Sequence, residues 1–188
     1  MFSRVNRSLL LPITLSVVGC STADVSVISP APPSHDLIVL LDYTFEANGI
    51  PTLAGWTVRD SSLVHFSDDV PPGGGSFSLV ILGRNRETNF VTWSTEAAGG
   101  INYLRLSWWA KHTRIATPRA TIGLRHGETV EVAHSFAMAE DSSWVSYSVL
   151  DTLIAGPGDS LWIKIDSGGN DFSEGTTLYD LVTLKRYR

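Results

Sequence analysis

From Leu37 onward, apolar and polar residues alternate in short runs, and no useful length of chain repeats its apolar positions at the interval of a helix. Gly, Pro, Asn and Asp separate the runs, as turns require. The alternation predicts ten strands, over 38–46, 55–59, 77–82, 89–94, 103–112, 119–126, 129–136, 144–150, 160–166 and 177–186. A strand with one apolar face must be covered by a second layer. Ten such strands therefore predict an all-β, two-sheet antiparallel sandwich or a barrel over 38–188.

The same alternation sorts side chains by face. Leu104, Leu106, Trp108 and Ala110 form the core side of one run, leaving Arg105, Ser107, Trp109 and Lys111 on the other. Ile122 and Leu124 oppose Thr121, Gly123 and Arg125, while Leu161, Ile163 and Ile165 oppose Trp162, Lys164 and Asp166. If these three runs share a sheet, Arg105, Trp109, Arg125, Trp162 and Lys164 converge on one surface with an exposed indole among cations. Flat aromatics pack on the C–H faces of pyranose rings, and arginine and lysine donate to hydroxyls and carboxylates. Those five residues are the candidate ligand site, and their charge favours an acidic polysaccharide.

The first nineteen residues read differently. Arg4 and Arg7 precede a ten-residue apolar run, Leu9 to Val18, which is about half of what a membrane-spanning helix needs. A basic start, a short apolar middle and small residues at the end predict a cleaved secretory leader over 1–19. Val17, Val18, Gly19 and Cys20 resemble the bacterial lipoprotein signal, in which the cysteine is lipidated and becomes the new N-terminus. That resemblance implies that Cys20, the one cysteine of the chain, is an attachment point for two or three acyl chains. Ser21 stands where an Asp would signal inner-membrane retention, which implies placement at the outer membrane of the cell envelope. Residues 20–37 contain three prolines and little aromatic content, and are expected to be a flexible, disordered tether.

The chain carries 14 basic and 19 acidic residues, a formal charge of −5. Removal of the leader takes two arginines and no acid, deepening the charge to −7. A nucleic-acid partner is excluded on that ground, and a monomer is expected. With no second cysteine, apolar burial and a metal are the available means of stabilisation.

FEANGIPTLAGW (45–56), PPGGGSFSLVI (71–81), YLRLSWWAK (103–111), SSWVSYSV (142–149) and LYDLVTL (178–184) together resemble the jelly-roll carbohydrate-binding modules of the galactose-binding-like superfold. The resemblance implies a jelly roll whose first and last strands lie close. It also implies a structural calcium ion bridging Glu46 and Asp180, with Asn48 and carbonyls near Gly74 and Gly75 completing six to eight oxygens. The stretch 166–175 is acidic and glycine-bearing but lacks the spacing of an EF-hand loop, and is expected to be a mobile loop.

Support for catalysis is weakest. The five histidines have no HxH or HExxH spacing, no GxSxG elbow occurs, and Glu87, Glu96, Glu128 and Glu131 have no partner that sequence can supply. The expectation is a non-catalytic, glycan-binding lipoprotein. Its rival is a structural or adhesive surface lipoprotein that contacts a protein partner, and that rival would show a large exposed apolar patch lacking clustered aromatics on the strand face. A glycan-active hydrolase or lyase ranks behind both.

Overall fold

Leu104, Leu106, Trp108 and Ala110 are each at most 2 % exposed, and they join Ile122, Leu124, Leu161, Ile163 and Ile165 in one buried cluster between two sheets. The computed structural model describes residues 37–83, 88–112, 117–139, 142–168 and 175–187. Its elements begin with β1 (Leu37–Tyr43), β2 (Glu46–Ala47), β3 (Ile50–Pro51), β4 (Thr57–Val58), a 3-10 turn (Ser61–Leu63), β5 (Val64–Ser67) and β6 (Ser78–Leu82). They continue with β7 (Phe90–Glu96), β8 (Gly100–His112), β9 (Arg119–His126), β10 (Thr129–Ala137), β11 (Val145–Ala155), β12 (Asp159–Asp166) and β13 (Thr176–Tyr187). The predicted leader, Cys20, the tether, Glu87 and most of the acidic loop (169–174) lie outside the described residues.

Two antiparallel sheets form the sandwich. One has the order β11-β8-β13-β6-β5, with β1 pairing β13 beside β6; the other has the order β10-β9-β12-β7-β4. β2 and β3 make a separate hairpin whose turn is Asn48-Gly49, both at positive φ (+54° and +72°), as a two-residue hairpin turn demands. All ten predicted strands are present, several with shifted ends; β11 runs five residues further, to Ala155. β5 is an addition. Its four residues offer only Val64 and Phe66 to a pattern search, yet both pack against the core as β5 pairs with β6.

Aromatic packing closes the interior. Trp108 stacks on Tyr147 with centroids 5.4 Å apart and planes 11° from parallel. At the chain's entry, Phe45 lies within 5.2 Å of Tyr43 and 5.7 Å of Trp56, so the FEANGIPTLAGW segment folds its ends together around a buried phenylalanine. Tyr179, fully buried, donates its hydroxyl to the Asp166 carbonyl at 2.6 Å, and burial pushes its phenol well above the usual range.

The inward and outward positions of adjacent strands make a direct test. In urea unfolding, Trp108→Ala is expected to cost about 3–5 kcal/mol, whereas Leu150→Ala, 51 % exposed on the neighbouring strand, should stay within about 0.5 kcal/mol.

Candidate functional site

Register fixes which side chains share the outer face of the five-stranded sheet. Across β7, β12, β9 and β10 the rows read Ser94, Trp162, Gly123, Ala133; then Thr92, Lys164, Thr121, Ser135; then Phe90, Asp166, Arg119, Ala137. Glu96, Ser160, Arg125 and Val130 form the row on the far side of Trp162. Small and hydroxyl-bearing residues thus surround one indole, with cations beyond it in both directions.

Trp162 points outward, as alternation predicts, but it is only 6 % exposed. Its ring lies against Gly123, where a β-carbon would collide with both the indole and the Val132 carbonyl, and the Arg125 guanidinium covers it at 5.4 Å from the ring centre. The Trp162 Nε1 and the Arg125 Nε are buried without a hydrogen-bond partner, so a polar cost is left standing on this face.

Two rows away the face opens into a cavity of about 370 Å³ lined by Arg59, Thr88, Phe90, Arg119, Lys164 and Asp166, among others. Phe90 carries two cations, with Arg59 and Lys164 each 5.6 Å from its ring centre. Asp166 is bound on all sides: Oδ1 accepts the Arg119 and Gly168 N–H groups at 3.0 Å, and Oδ2 meets Lys164 at 3.3 Å. The Arg59 Nη1 donates to the Thr88 carbonyl at 2.7 Å. Phe90 was not among the sequence candidates. The alternation that exposes Trp162 would have exposed Phe90 too, had it been applied to Phe90, Thr92 and Ser94 against Val91 and Trp93.

The predicted convergence of all five candidates requires correction. Arg105 and Trp109 belong to β8, between β11 and β13 in the six-stranded sheet, while Arg125, Trp162 and Lys164 lie on the paired strands β9 and β12 of the other sheet. The two groups project from opposite faces of the sandwich, with the core between them. Alternation assigns a residue to one of two faces; it does not say which sheet the strand joins, and the connection from β8 to β9 crosses from one sheet to the other. Trp109 is partly buried in a row between Ser146 and Asp180. Arg105 sits 5.5 Å over the Tyr187 ring, and Lys111 is held by Asp69 at 2.6 Å. Asp69 also accepts from the Trp144 Nε1 at 2.9 Å, and these bonds, that from Lys111 foremost, hold its carboxyl below the usual range.

Glu46 and Asp180 do come together. A β-carbon on Gly74 would strike the Asp180 carboxylate, and one on Gly75 would strike that of Glu46, so the glycine turn wraps both acids. Asp180 is fully buried; its Oδ1 accepts the Leu181 N–H at 2.7 Å, whereas its Oδ2 has no partner. Glu46 accepts the Ser76 N–H at 2.7 Å. Burial, with Glu46 as a nearby like charge, raises the Asp180 carboxyl to about 6 against the opposing Leu181 bond. Phe45 and Leu181, the neighbours of the two acids, take positive φ of +54° and +50°, a conformation that costs non-glycine residues about 1 kcal/mol or more. A pair of carboxylates in a glycine cradle, with one oxygen left unpartnered, fits a hard cation. No group of three His, Cys, Asp or Glu that could hold a metal occurs among the described residues, so carbonyls and water would have to complete the shell. Asn48, the third predicted ligand, is exposed in the β2–β3 turn.

No family model matches the chain, and no curated protein matches it in sequence. Solved structures do. The second xylan-binding CBM22 domain of Paenibacillus barcinonensis Xyn10C matches with TM-score 0.55 and 11 % identity, over 78 % of this chain and 98 % of that one. The first such domain of Xyn10C matches with TM-score 0.54 and 19 % identity, over 82 % and 98 %. The enzymatically active domain of bacteriophage CBA120 tailspike protein 4 matches with TM-score 0.53 and 17 % identity, over 72 % of this chain but only 20 % of that one. The likeness is one of fold: the chain is an all-β, two-sheet jelly-roll sandwich.

The carboxylate pair generates a pH-dependent expectation. An Asp raised from about 3.9 when unfolded to about 6 when folded contributes stability that is present below about pH 4 and lost as pH rises through 6. A cation, which favours the ionised form, works in the opposite direction. At pH 7.5, calcium should raise the Tm by about 5 °C or more over chelator-treated protein, and the gain should shrink at pH 5. In chelator at pH 7.5, Asp180→Asn should melt above the parent chain and should no longer respond to calcium. A Tm indifferent to calcium and chelator at pH 7.5 would remove the metal.

Proposed function

We propose that this chain is a non-catalytic, glycan-binding lipoprotein that holds oligosaccharide on the outer face of its five-stranded sheet, with calcium bridging Glu46 and Asp180 as a structural ion. One observation supports the location above all: the cavity in which Phe90 is flanked by Arg59 and Lys164, on the same sheet face as Trp162 and Arg125. Aromatic faces for sugar C–H groups and forked donors for hydroxyls and carboxylates occur there within a few residues of each other. Arg59, Arg119 and Lys164 favour a glycan bearing carboxylates or sulfates. Solved domains of the same fold are described as xylan-binding, which supports a glycan ligand without selecting one. The Arg125 guanidinium already occupies a Trp162 ring face, 5.4 Å from its centre, the kind of contact a sugar face would compete for.

In this reading Cys20 carries acyl chains and the mature protein is displayed at the outer membrane of a bacterial envelope. Each methylene buried in the bilayer contributes about 0.8 kcal/mol, so two or three chains hold the protein there effectively permanently.

On a glycan array the full chain should retain a defined set of polysaccharides, acidic ones foremost. Phe90→Ala and Lys164→Gln should each weaken binding about tenfold, the scale of one lost aromatic or charge-assisted contact, with the Tm unchanged. Arg105→Gln and Trp109→Ala, on the opposite face, should leave binding intact. Retention of no glycan, or loss only in the Arg105 and Trp109 variants, contradicts the assignment. Labelled palmitate should enter the parent chain and not Cys20→Ala; equal labelling, or none in either, contradicts the anchor.

A further inference from the structure

Of the eight large hydrophobic residues exposed among the described residues, five lie on the outer face of the six-stranded sheet, concentrated at one end. Ile101 (59 % exposed) pairs with Ile154 (73 %) across β8 and β11. The next row is Leu37, Tyr187, Tyr103, Thr152, and the one after it is Val39, Lys185, Arg105, Leu150. Leu37, Val39 and Leu150 are 45 %, 54 % and 51 % exposed. These ten residues include five aliphatics, two tyrosines and two cations, but no acid, in a chain of formal charge −5. Asp151 lies between Leu150 and Thr152 but points to the other side, where it meets His134 at 2.7 Å. Among the described residues, the first carboxylate met on the face itself is Asp42, one row beyond, opposite Thr183.

We propose that this end of the six-stranded sheet rests on the headgroup layer of the membrane to which the chain is anchored, so that the five-stranded sheet faces away from that membrane. The inference rests on the lipid-anchor reading above. Three observations select a lipid surface as the occupant. First, the chain enters the fold on this patch: Leu37 is both the first residue of β1 and a member of the second row. It stands seventeen positions after Cys20, and seventeen residues at full extension span no more than about 60 Å. The domain is therefore held near the bilayer at high effective concentration, where a surface of modest intrinsic affinity suffices. Second, the composition suits an interface. Tyrosines place a ring in the acyl boundary and a hydroxyl in water, and long cationic side chains reach out to phosphate. The Arg105 guanidinium lies 5.5 Å from the centre of the Tyr187 ring. Third, the absence of acid from the patch complements anionic headgroups, each basic residue near such a surface adding to the attraction. The glycan face lies on the other sheet, so docking leaves it open to solvent.

The test uses the full mature chain with a thiol-reactive, polarity-sensitive fluorophore on Ile154→Cys or, on the opposite face, on Ser94→Cys, bound to vesicles of phosphatidylglycerol and phosphatidylcholine. The unsubstituted chain is the control for labelling at Cys20. Acrylamide should quench the Ile154 probe about threefold less than the Ser94 probe, and the difference should narrow on phosphatidylcholine alone. Equal quenching on the mixed vesicles, with Cys20 unreactive, overturns the orientation while leaving the anchor intact. Protection of the Ile154 probe before vesicles are added, the mark of a second copy or a protein partner on the patch, also overturns it. A ratio unchanged by removing phosphatidylglycerol overturns the part assigned to Arg105 and Lys185. Labelling of the unsubstituted chain at Cys20 shows that the anchor itself is missing, and the proposal falls with it.

Discussion

The dry layer between the two sheets is the constraint from which everything else about this protein follows. Leu106, Trp108, Ile122, Leu124, Ile163, Tyr179 and Leu184, each at most 1 % exposed, come from both sheets and pack water out of the layer, even at the cost of burying the Trp108 Nε1 without a partner. Because successive side chains of a strand point to opposite sides, filling this layer dictates which residues are left outside and in what rows. Trp162 and Lys164 are outward because Leu161, Ile163 and Ile165 must be inward; Arg105 and Leu150 are outward because Leu104, Leu106 and Val149 turn the other way. The outer surfaces therefore inherit their composition from the core, and a one-residue slip of any central strand would exchange the two.

That inheritance gives the molecule two unlike faces. The five-stranded sheet presents hydroxyls, a covered indole and an aromatic cavity ringed with cations. The six-stranded sheet presents aliphatics, tyrosines and two cations at the end where the chain enters. Between them, Glu46 and Asp180 join the first part of the fold to its last strand through a glycine turn that only a side chain without a β-carbon allows. The strain at Phe45 and Leu181 sits on either side of that junction. A fold without disulfides among its described residues would gain from a cation at that point, and the unpartnered Asp180 oxygen marks where one would be held.

Much of this was legible in the chain before any coordinates. Alternation located ten strands and sorted their faces correctly, because burial on one side is a local property of a strand. The closeness of Glu46 and Asp180 followed from the resemblance to jelly-roll modules, not from any pattern in the residues. Sheet membership was not legible. Whether β8 lies beside β9 or across the core from it depends on a crossing connection and on partners far away in sequence, and no periodicity encodes either. The exposure of Trp162 was misjudged for a related reason: Arg125 covers it from the neighbouring strand at a distance that only register reveals. The place of Phe90 is not encoded in its own strand, because Arg59 and Lys164 reach its ring from two other segments.

If core packing has left the glycan site on the five-stranded sheet, the binding surface can be read residue by residue. Backbone amide shifts of the labelled protein, followed during titration with a soluble oligosaccharide that the chain retains, report it most directly. The account predicts that the moving resonances cluster in 90–96, 119–126 and 159–166, with Phe90, Arg125 and Trp162 among the largest, while 101–111 and 180–187 stay in place. Shifts centred on Arg105 and Trp109, with the five-stranded sheet silent, would contradict it.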